Sequence, residues 1–121
     1  MASVFREVVV DCTDPARVAA FWHDVLGWPV VDADGFFWLS ATGEPTSPPL
    51  LVFVPVPEAK TVKNRVHLDV NPSGCDQAEE LERLLALGAR RVDVGQGDQP
   101  WVVLADPEGN EFCLLARRVD A

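Results

Sequence analysis

Three short segments of this sequence alternate chemically active side chains with apolar ones, and each has the length and composition of a β-strand. Because successive side chains of a strand point to opposite faces, each segment has one apolar face and one mixed face. We expect the apolar faces to pack on helices and the mixed faces to line a cavity. The mixed faces carry these chemically active residues: Glu7, Asp11, Arg65, His67, Asp69, Glu111 and Cys113.

His67 is the residue of this set best suited to acid–base catalysis. An unperturbed imidazole changes charge near neutral pH, so it can take up and release a proton during a reaction. Glu7 or Asp69 would orient the ring, and such a pair would move a proton next to a carbonyl group. A structural role explains the same residues, because a neutral histidine inside a protein usually hydrogen-bonds to a neighbour.

Aromatic side chains supply a candidate binding surface. The chain has four tryptophans and no tyrosine. Trp22 falls on a helical stripe and is assigned to the core, whereas Trp38 and Trp101 lie in or beside predicted strands. We predict that at least one of these two lines the pocket. Together with carboxylates they would bind a planar or cationic ligand, and ordinary packing is the alternative.

The elements that must position these residues occur twice along the chain. Asp14 and Pro15 begin a helix that carries an apolar stripe, and Gly27 ends it. Asp76 begins a second helix with a similar stripe, and Gly88 ends that helix 61 residues after Gly27. One predicted strand precedes each helix and three follow it, at residues 7–12, 29–31, 36–39 and 50–54, and again at 65–70, 91–94, 101–104 and 111–115.

The chain therefore consists of two tandem βαβββ modules. Strands that follow one another without intervening helices predict an α+β fold rather than a doubly wound parallel sheet. Module one covers about residues 4–56 and module two about residues 63–118, joined by the proline-rich segment 55–61. We expect both modules to form a single domain over residues 1–121.

Three motifs within these modules resemble the vicinal oxygen chelate superfamily, which contains glyoxalase I, the bleomycin-resistance proteins and the extradiol dioxygenases. The motifs are Phe21-Trp22 with Leu26-Gly27-Trp28, then Arg65-Val66-His67-Leu68-Asp69, and finally Asp106-Pro107-Glu108-Gly109-Asn110. Residues 63–69 together with 111–113 look most like its small bacterial glyoxalase-like branch. The resemblance implies curved antiparallel or mixed sheets around a cavity, commonly in a homodimer.

Enzymes of this superfamily hold a divalent metal ion with one residue from the first and last strands of each module. The resemblance places Glu7 and His67 at the first-strand positions. It places Val52 or Val54, and Cys113, at the last-strand positions, where glutamate is usual. Glu7, His67 and Cys113 reach the three ligands of a catalytic site and suit zinc, nickel or iron. Since valine cannot ligate, the sequence favours no cofactor, and a divalent metal is the alternative.

The charge balance restricts the partners of this protein. Acidic residues outnumber basic ones by 19 to 10, which gives a net charge of −9 and argues against binding nucleic acids or anionic membranes. No apolar run approaches the roughly 20 residues of a membrane span, and three cysteines without paired spacing predict thiols in a cytoplasmic protein. Lys60, Lys63 and Arg65 form a basic group, either a solvated joint or a site where Arg65 holds a ligand carboxylate or phosphate.

Two classes of function follow from these observations. We predict a metal-independent protein that binds a small molecule, as the bleomycin-resistance proteins do, and that forms a homodimer. The ligand-binding residues would be Asp11, Trp38, Arg65, Asp69, Trp101 and Glu111. The alternative is a lyase, isomerase or dioxygenase that acts on a small oxygenated metabolite, with a metal ion or His67 and Glu7 as its catalytic groups.

Overall fold

The computed structural model describes residues 1–120 and divides the chain into two compact units between Ala59 and Lys60. This division falls within the proline-rich segment predicted to join the modules. Each unit contains one strand, one helix and three further strands in that order. The predicted α+β fold of two βαβββ modules is confirmed, with one four-stranded mixed sheet in each unit.

The first unit has its first strand at the edge of the sheet, and its last strand lies next to it. Its strand order is β1-β4-β3-β2, in which β1 is parallel to β4 and the other neighbours are antiparallel. Helix α1 packs on β1, β3 and β4. The elements are β1 (Glu7–Cys12), α1 (Pro15–Leu26), β2 (Val30–Asp32), β3 (Phe37–Leu39) and β4 (Leu50–Pro55).

The second unit repeats this topology with shorter first and last strands. Its strand order is β5-β8-β7-β6, again with the first strand parallel to the last. The elements are β5 (Leu68–Val70), α2 (Gln77–Leu87), β6 (Arg90–Arg91), β7 (Val102–Ala105) and β8 (Glu111–Leu114). In the described part of the chain, neither helix has the length and apolar character that crossing a bilayer would require.

Local capping explains where both helices begin and end. The Asp14 carboxylate accepts a hydrogen bond from the Arg17 backbone N–H at 3.2 Å, and Asp76 accepts one from the Glu79 N–H at 2.9 Å. At the other end, Gly27 and Gly88 adopt left-handed backbone conformations, which a side chain would strain. The helix ends predicted from the sequence are therefore confirmed.

One face of each sheet forms an apolar core, as the alternation of residues predicts. Phe53 of β4 and Phe112 of β8 are both almost completely buried. Trp22 is buried as well, and its ring meets that of Phe21 edge to face with centroids 5.4 Å apart. The polar side chains of the strands lie on the opposite face of each sheet, together with some apolar ones.

The prediction of a strand over residues 65–70 is wrong in its first half. Strand β5 begins at Leu68, which pairs with Phe112, because the chain bends at residues 65 and 66 instead of continuing the strand. Val66, predicted on the apolar face, is consequently 74% exposed. The strand predicted at 91–94 ends at Arg91 in the same way, because the Asp93 carboxylate accepts the Gly95 N–H and forms a turn.

Candidate functional site

A cavity of about 400 Å³ opens on the mixed face of the second unit's sheet. Strands β7 and β8, the residues around β5 and the loop after β6 contribute its walls. Both apolar and polar side chains line it. The apolar lining is Val94, Trp101, Val103 and Leu115, and the polar lining is Lys63, His67, Asp69, Gln96, Glu111 and Cys113.

A row of three residues across neighbouring strands forms the floor of this pocket. Asp69 of β5 lies opposite Cys113 of β8, and Cys113 lies opposite Val103 of β7. Side chains directly opposite each other project from the same face of a sheet, so all three point into the cavity. Parity along the strands had predicted this placement of Asp69 and Cys113.

His67 and Asp69 form the polar pair of the pocket. The His67 Nε2 atom lies 3.2 Å from the Asp69 Oδ1 atom, and both side chains are about half exposed, at 46% and 48%. Because His67 lies just before β5, the Asp69 carboxylate two residues later can fix the orientation of its ring. The sequence offered Glu7 or Asp69 for this role, and the structure shows the contact with Asp69.

Cys113 is a buried, protonated thiol at neutral pH. Only 8% of the residue is exposed. Burial raises the thiol pKa above its ordinary value of 9.0, and the negative charge of Asp69 raises it further, while Lys63 opposes the shift. A thiol held in its neutral form is a weak nucleophile and a poor metal ligand until it loses its proton.

The donor set at this position fits a borderline metal ion. Ligand atoms of His67, Asp69 and Cys113 all lie within 4.8 Å of one another. The 3.2 Å between His67 Nε2 and Asp69 Oδ1 is close to the about 3.3 Å that separates two ligands of a tetrahedral zinc ion. Imidazole, carboxylate and thiolate suit zinc, nickel or iron, whereas Mn(II) prefers oxygen ligands. The ligand set considered from the sequence was Glu7, His67 and Cys113. In the structure Asp69 stands with His67 and Cys113 instead of Glu7, and all three belong to the second unit.

Glu111 lines the pocket, but both of its carboxylate oxygens already accept hydrogen bonds. Lys60 Nζ donates to Oε2 at 2.8 Å, and the Asn64 backbone N–H donates to Oε1 at 2.8 Å. Burial alone would raise the pKa of Glu111, but these hydrogen bonds outweigh it and hold the pKa below the ordinary value. Glu111 therefore fastens residues 60–64 to β8 and shapes one wall of the cavity.

Lys63 and Gln96 line the pocket although sequence reasoning did not select either. Lys63 was recognised only as part of a basic group, in which Arg65 was the favoured ligand-binding residue. Arg65 is exposed and is not among the lining residues. The difference follows from the loss of strand structure before Leu68, because the parity that placed Arg65 beside His67 does not extend to an unpaired segment. Gln96 stands in a Gly-Gln-Gly turn, whose composition predicted only a connection.

The predicted site residues of the first unit lie on the mixed face of its own sheet. Trp38 is opposite Val52, which is opposite Val9, so all three share the face that Glu7 and Asp11 also occupy. Asp11 is exposed, and the Glu7 carboxylate lies 3.4 Å from Arg6 Nε. The structure thus brings His67, Asp69, Trp101, Glu111 and Cys113 together in one pocket, and leaves Glu7, Asp11 and Trp38 in the other unit.

The motif at residues 106–110 positions β8 rather than binding a ligand. Asp106 is 1% exposed, and its carboxylate accepts hydrogen bonds from the backbone N–H groups of Glu108 and Asn110, each at 2.9 Å. The Asn110 side-chain amide donates to the same carboxylate. This turn sets where β8 begins and therefore where Cys113 faces the pocket.

Comparison with known proteins agrees with this fold. A family model described as a glyoxalase-like domain matches residues 7–115, and no curated protein matches the chain by sequence. A glyoxalase/bleomycin resistance protein/dioxygenase family enzyme from Burkholderia phytofirmans PsJN superposes with a TM-score of 0.65 at 20% identity, covering 89% of this chain and 94% of the other. A glyoxalase-related enzyme from Fulvimarina pelagi gives 0.62 at 19% identity, over 94% and 87%.

A third similar structure is a variant of the fosfomycin resistance protein FosX from Listeria monocytogenes in complex with Mn(II) and 1S,2S-dihydroxypropylphosphonic acid. Its TM-score is 0.69 at 16% identity, over 96% of this chain and 91% of the other. At these identities the structures establish the fold. The match over residues 7–115 establishes the family, and the chain belongs to the glyoxalase-like domain family of the vicinal oxygen chelate superfamily.

Proposed function

We propose that this protein binds a small organic molecule in the pocket of its second unit and does so without a metal ion. The observation that carries the proposal is the lining of the cavity, which combines four apolar side chains with a small set of polar groups. Ligand sites in proteins usually combine an apolar lining with a few polar groups that fix orientation.

Trp101 is the largest of the apolar side chains that line the pocket. The residue is 37% exposed although its side chain is large and apolar, so a ligand that stacks on it removes apolar surface from water. Val94 lines the same pocket and is exposed to a similar extent, at 36%. A planar ligand that covers both side chains would gain most of its affinity here.

The polar side of the pocket supports binding without a metal ion. Lys63 contributes a positive charge to the same pocket, which opposes a second cation. His67, Asp69 and Gln96 can instead form hydrogen bonds to a polar ligand directly.

Calorimetric titration with 2-naphthamide, in buffer containing EDTA, tests this proposal. We expect saturable binding, and we expect Trp101→Ala to weaken it about tenfold because the stacking surface is lost. Phe36→Ala is the matched control, since Phe36 is an aromatic residue of similar exposure, 39%, in the first unit. Binding that requires added zinc, or that Trp101→Ala leaves unchanged, would contradict the proposal.

The His67, Asp69 and Cys113 cluster favours a second candidate, a metal-dependent lyase, isomerase or dioxygenase acting on a small oxygenated metabolite. The three residues would hold the ion, and a bound zinc would polarise a substrate oxygen. Metal analysis of protein purified without chelators separates the two candidates. One divalent ion per chain that is lost in His67→Ala would replace metal-independent binding with this second function.

We further propose that the protein is a cytoplasmic homodimer. No disulfide joins the three cysteines, all of which lie in the described part of the chain, and this fits a reducing compartment. Val62 and Val66 expose apolar side chains, at 77% and 74%, and a second copy could cover them. Sedimentation analysis is expected to give twice the mass of the chain, and a monomer at all concentrations would reject the dimer.

A further inference from the structure

We infer that the ligand of the second-unit pocket is an anion, in which a carboxylate, phosphonate or phosphate group is attached to a flat apolar body, and that Lys63 binds the anionic group. This inference rests on the proposed binding function. The sequence had left both charges open, with carboxylates and tryptophans suited to a planar or cationic ligand and Arg65 suited to a carboxylate or phosphate.

The acidic side chains of the pocket are already engaged with partners of the protein. Glu111 accepts hydrogen bonds from the Lys60 ammonium group and from a backbone N–H, and its side chain is only 12% exposed. Asp69 lies 3.2 Å from His67 Nε2. Both oxygens of Glu111 are therefore occupied and its charge is paired with Lys60, while Asp69 has one oxygen facing His67.

Lys63 is the basic side chain of the pocket whose charge is not balanced in this way. Within residues 1–120, none of the ion pairs involves Lys63. Its ammonium group donates a hydrogen bond to the backbone carbonyl of Asn64 at 3.2 Å, which leaves two of its three N–H groups for a ligand. Lys63 thus brings a positive charge and free N–H donors to the pocket, although the whole chain carries a net charge of −9.

Gln96 adds a neutral donor to the same pocket. Its Oε1 atom accepts the Val94 backbone N–H at 2.9 Å, which holds the side chain in place and leaves the NH₂ group as a donor. Trp101 lines the same pocket and offers a flat apolar surface. A cation, a hydrogen-bond donor and an aromatic face together match an anionic group on a planar apolar body.

Three probes of the same shape test the inference by calorimetry in buffer containing EDTA: 2-naphthoate, 2-naphthamide and protonated 2-naphthylmethylamine. We expect naphthoate to bind more tightly than the ammonium probe by about tenfold, with the neutral amide between them. Lys63→Gln should weaken naphthoate binding about fivefold, and by more than it weakens amide binding, because only naphthoate loses an ion pair.

Arg65→Gln is the matched control, since it removes the same charge two residues away from an exposed side chain that does not line the pocket. It should change naphthoate binding less than twofold, roughly the effect of a distant screened charge. Ammonium binding equal to or tighter than naphthoate binding would overturn the inference while the proposed function stands. An equal loss in Arg65→Gln would also overturn it. Failure of all three probes to bind would reject both.

Discussion

The two units share one topology but differ in the residue types of one row of side chains. In each unit, one row on the mixed face joins the first strand, the last strand and the neighbour of the last strand. In the first unit this row is Val9, Val52 and Trp38. In the second unit it is Asp69, Cys113 and Val103, and His67 lies beside Asp69.

This comparison shows that the fold constrains only one face of each sheet. The face that forms the core must be apolar in both units, because burying unpaired polar groups there would be costly. The mixed face makes no such demand, so it can hold a hydrophobic row in one unit and a polar pair in the other. The polar pair of the second unit therefore lies on the face of the sheet that does not form the apolar core.

Truncating the core aromatics should have the largest effect and should affect both units alike. We expect Phe53→Ala and Phe112→Ala each to lower the free energy of unfolding by about 3–5 kcal/mol, because each removes a fully buried ring and leaves a cavity. Urea unfolding followed by circular dichroism measures this loss. A loss below about 1 kcal/mol in either variant would break the similarity between the two cores.

Removing the Glu111 charge should have a smaller effect that depends on pH. The pKa of Glu111 lies below its ordinary value of 4.5, so its stabilising contribution is full above that value and is lost as pH falls through the lower folded-state pKa. At neutral pH, Glu111→Gln should cost about 1–2 kcal/mol, because the charge-assisted hydrogen bond from Lys60 is weakened.

The pH dependence of that cost distinguishes it from a packing defect. Once the pH has fallen through the lowered pKa and Glu111 is protonated in the wild-type chain, the difference in unfolding free energy between the two proteins should nearly vanish. Glu58→Gln is the matched control, since Glu58 is exposed and lies outside the second unit. A loss that stays constant from neutral to acidic pH would show that the electrostatic role of Glu111 is wrong.

The smallest expected effect concerns the reactivity of Cys113. Because the Asp69 charge helps to raise the pKa of this thiol, Asp69→Asn should lower that pKa and speed alkylation by iodoacetamide a few-fold at mildly alkaline pH. Peptide mass spectrometry follows each cysteine separately. Cys75 is an internal control, as burial and Glu80 raise its pKa and Asp69 does not. Equal acceleration at both cysteines would indicate general loosening instead.

Much of the fold could be predicted from the sequence because its signals are local. Asp14 and Asp76 as caps, and Gly27 and Gly88 as helix ends, depend on backbone chemistry within a few residues. The alternation along β8 placed Cys113 correctly for the same reason. The start of β5 could not be predicted, since it depends on pairing with β8, which lies more than forty residues away in the sequence.

The site was harder to predict than the fold because pairing between distant charges decides it. Nothing near Glu111 in the sequence indicates that Lys60 and the Asn64 backbone will occupy its carboxylate. Lys63 enters the pocket because residues 60–64 are fastened in this way, and Arg65 does not enter it because no strand extends that far. Residue types thus selected most of the polar groups that line the pocket, but they also selected Glu7, Asp11 and Trp38 of the first unit and did not select Lys63.

A residue-resolved ligand titration tests most directly the claim that binding chemistry resides in the second unit. Uniformly ¹⁵N-labelled protein would be titrated with 2-naphthoate in buffer containing EDTA and followed by two-dimensional NMR. We predict that the largest shifts occur at the Trp101 indole N–H and at the amides of Gln96, Val103 and Cys113. Shifts centred instead on Val9, Asp11 and Trp38 of the first unit would contradict the account.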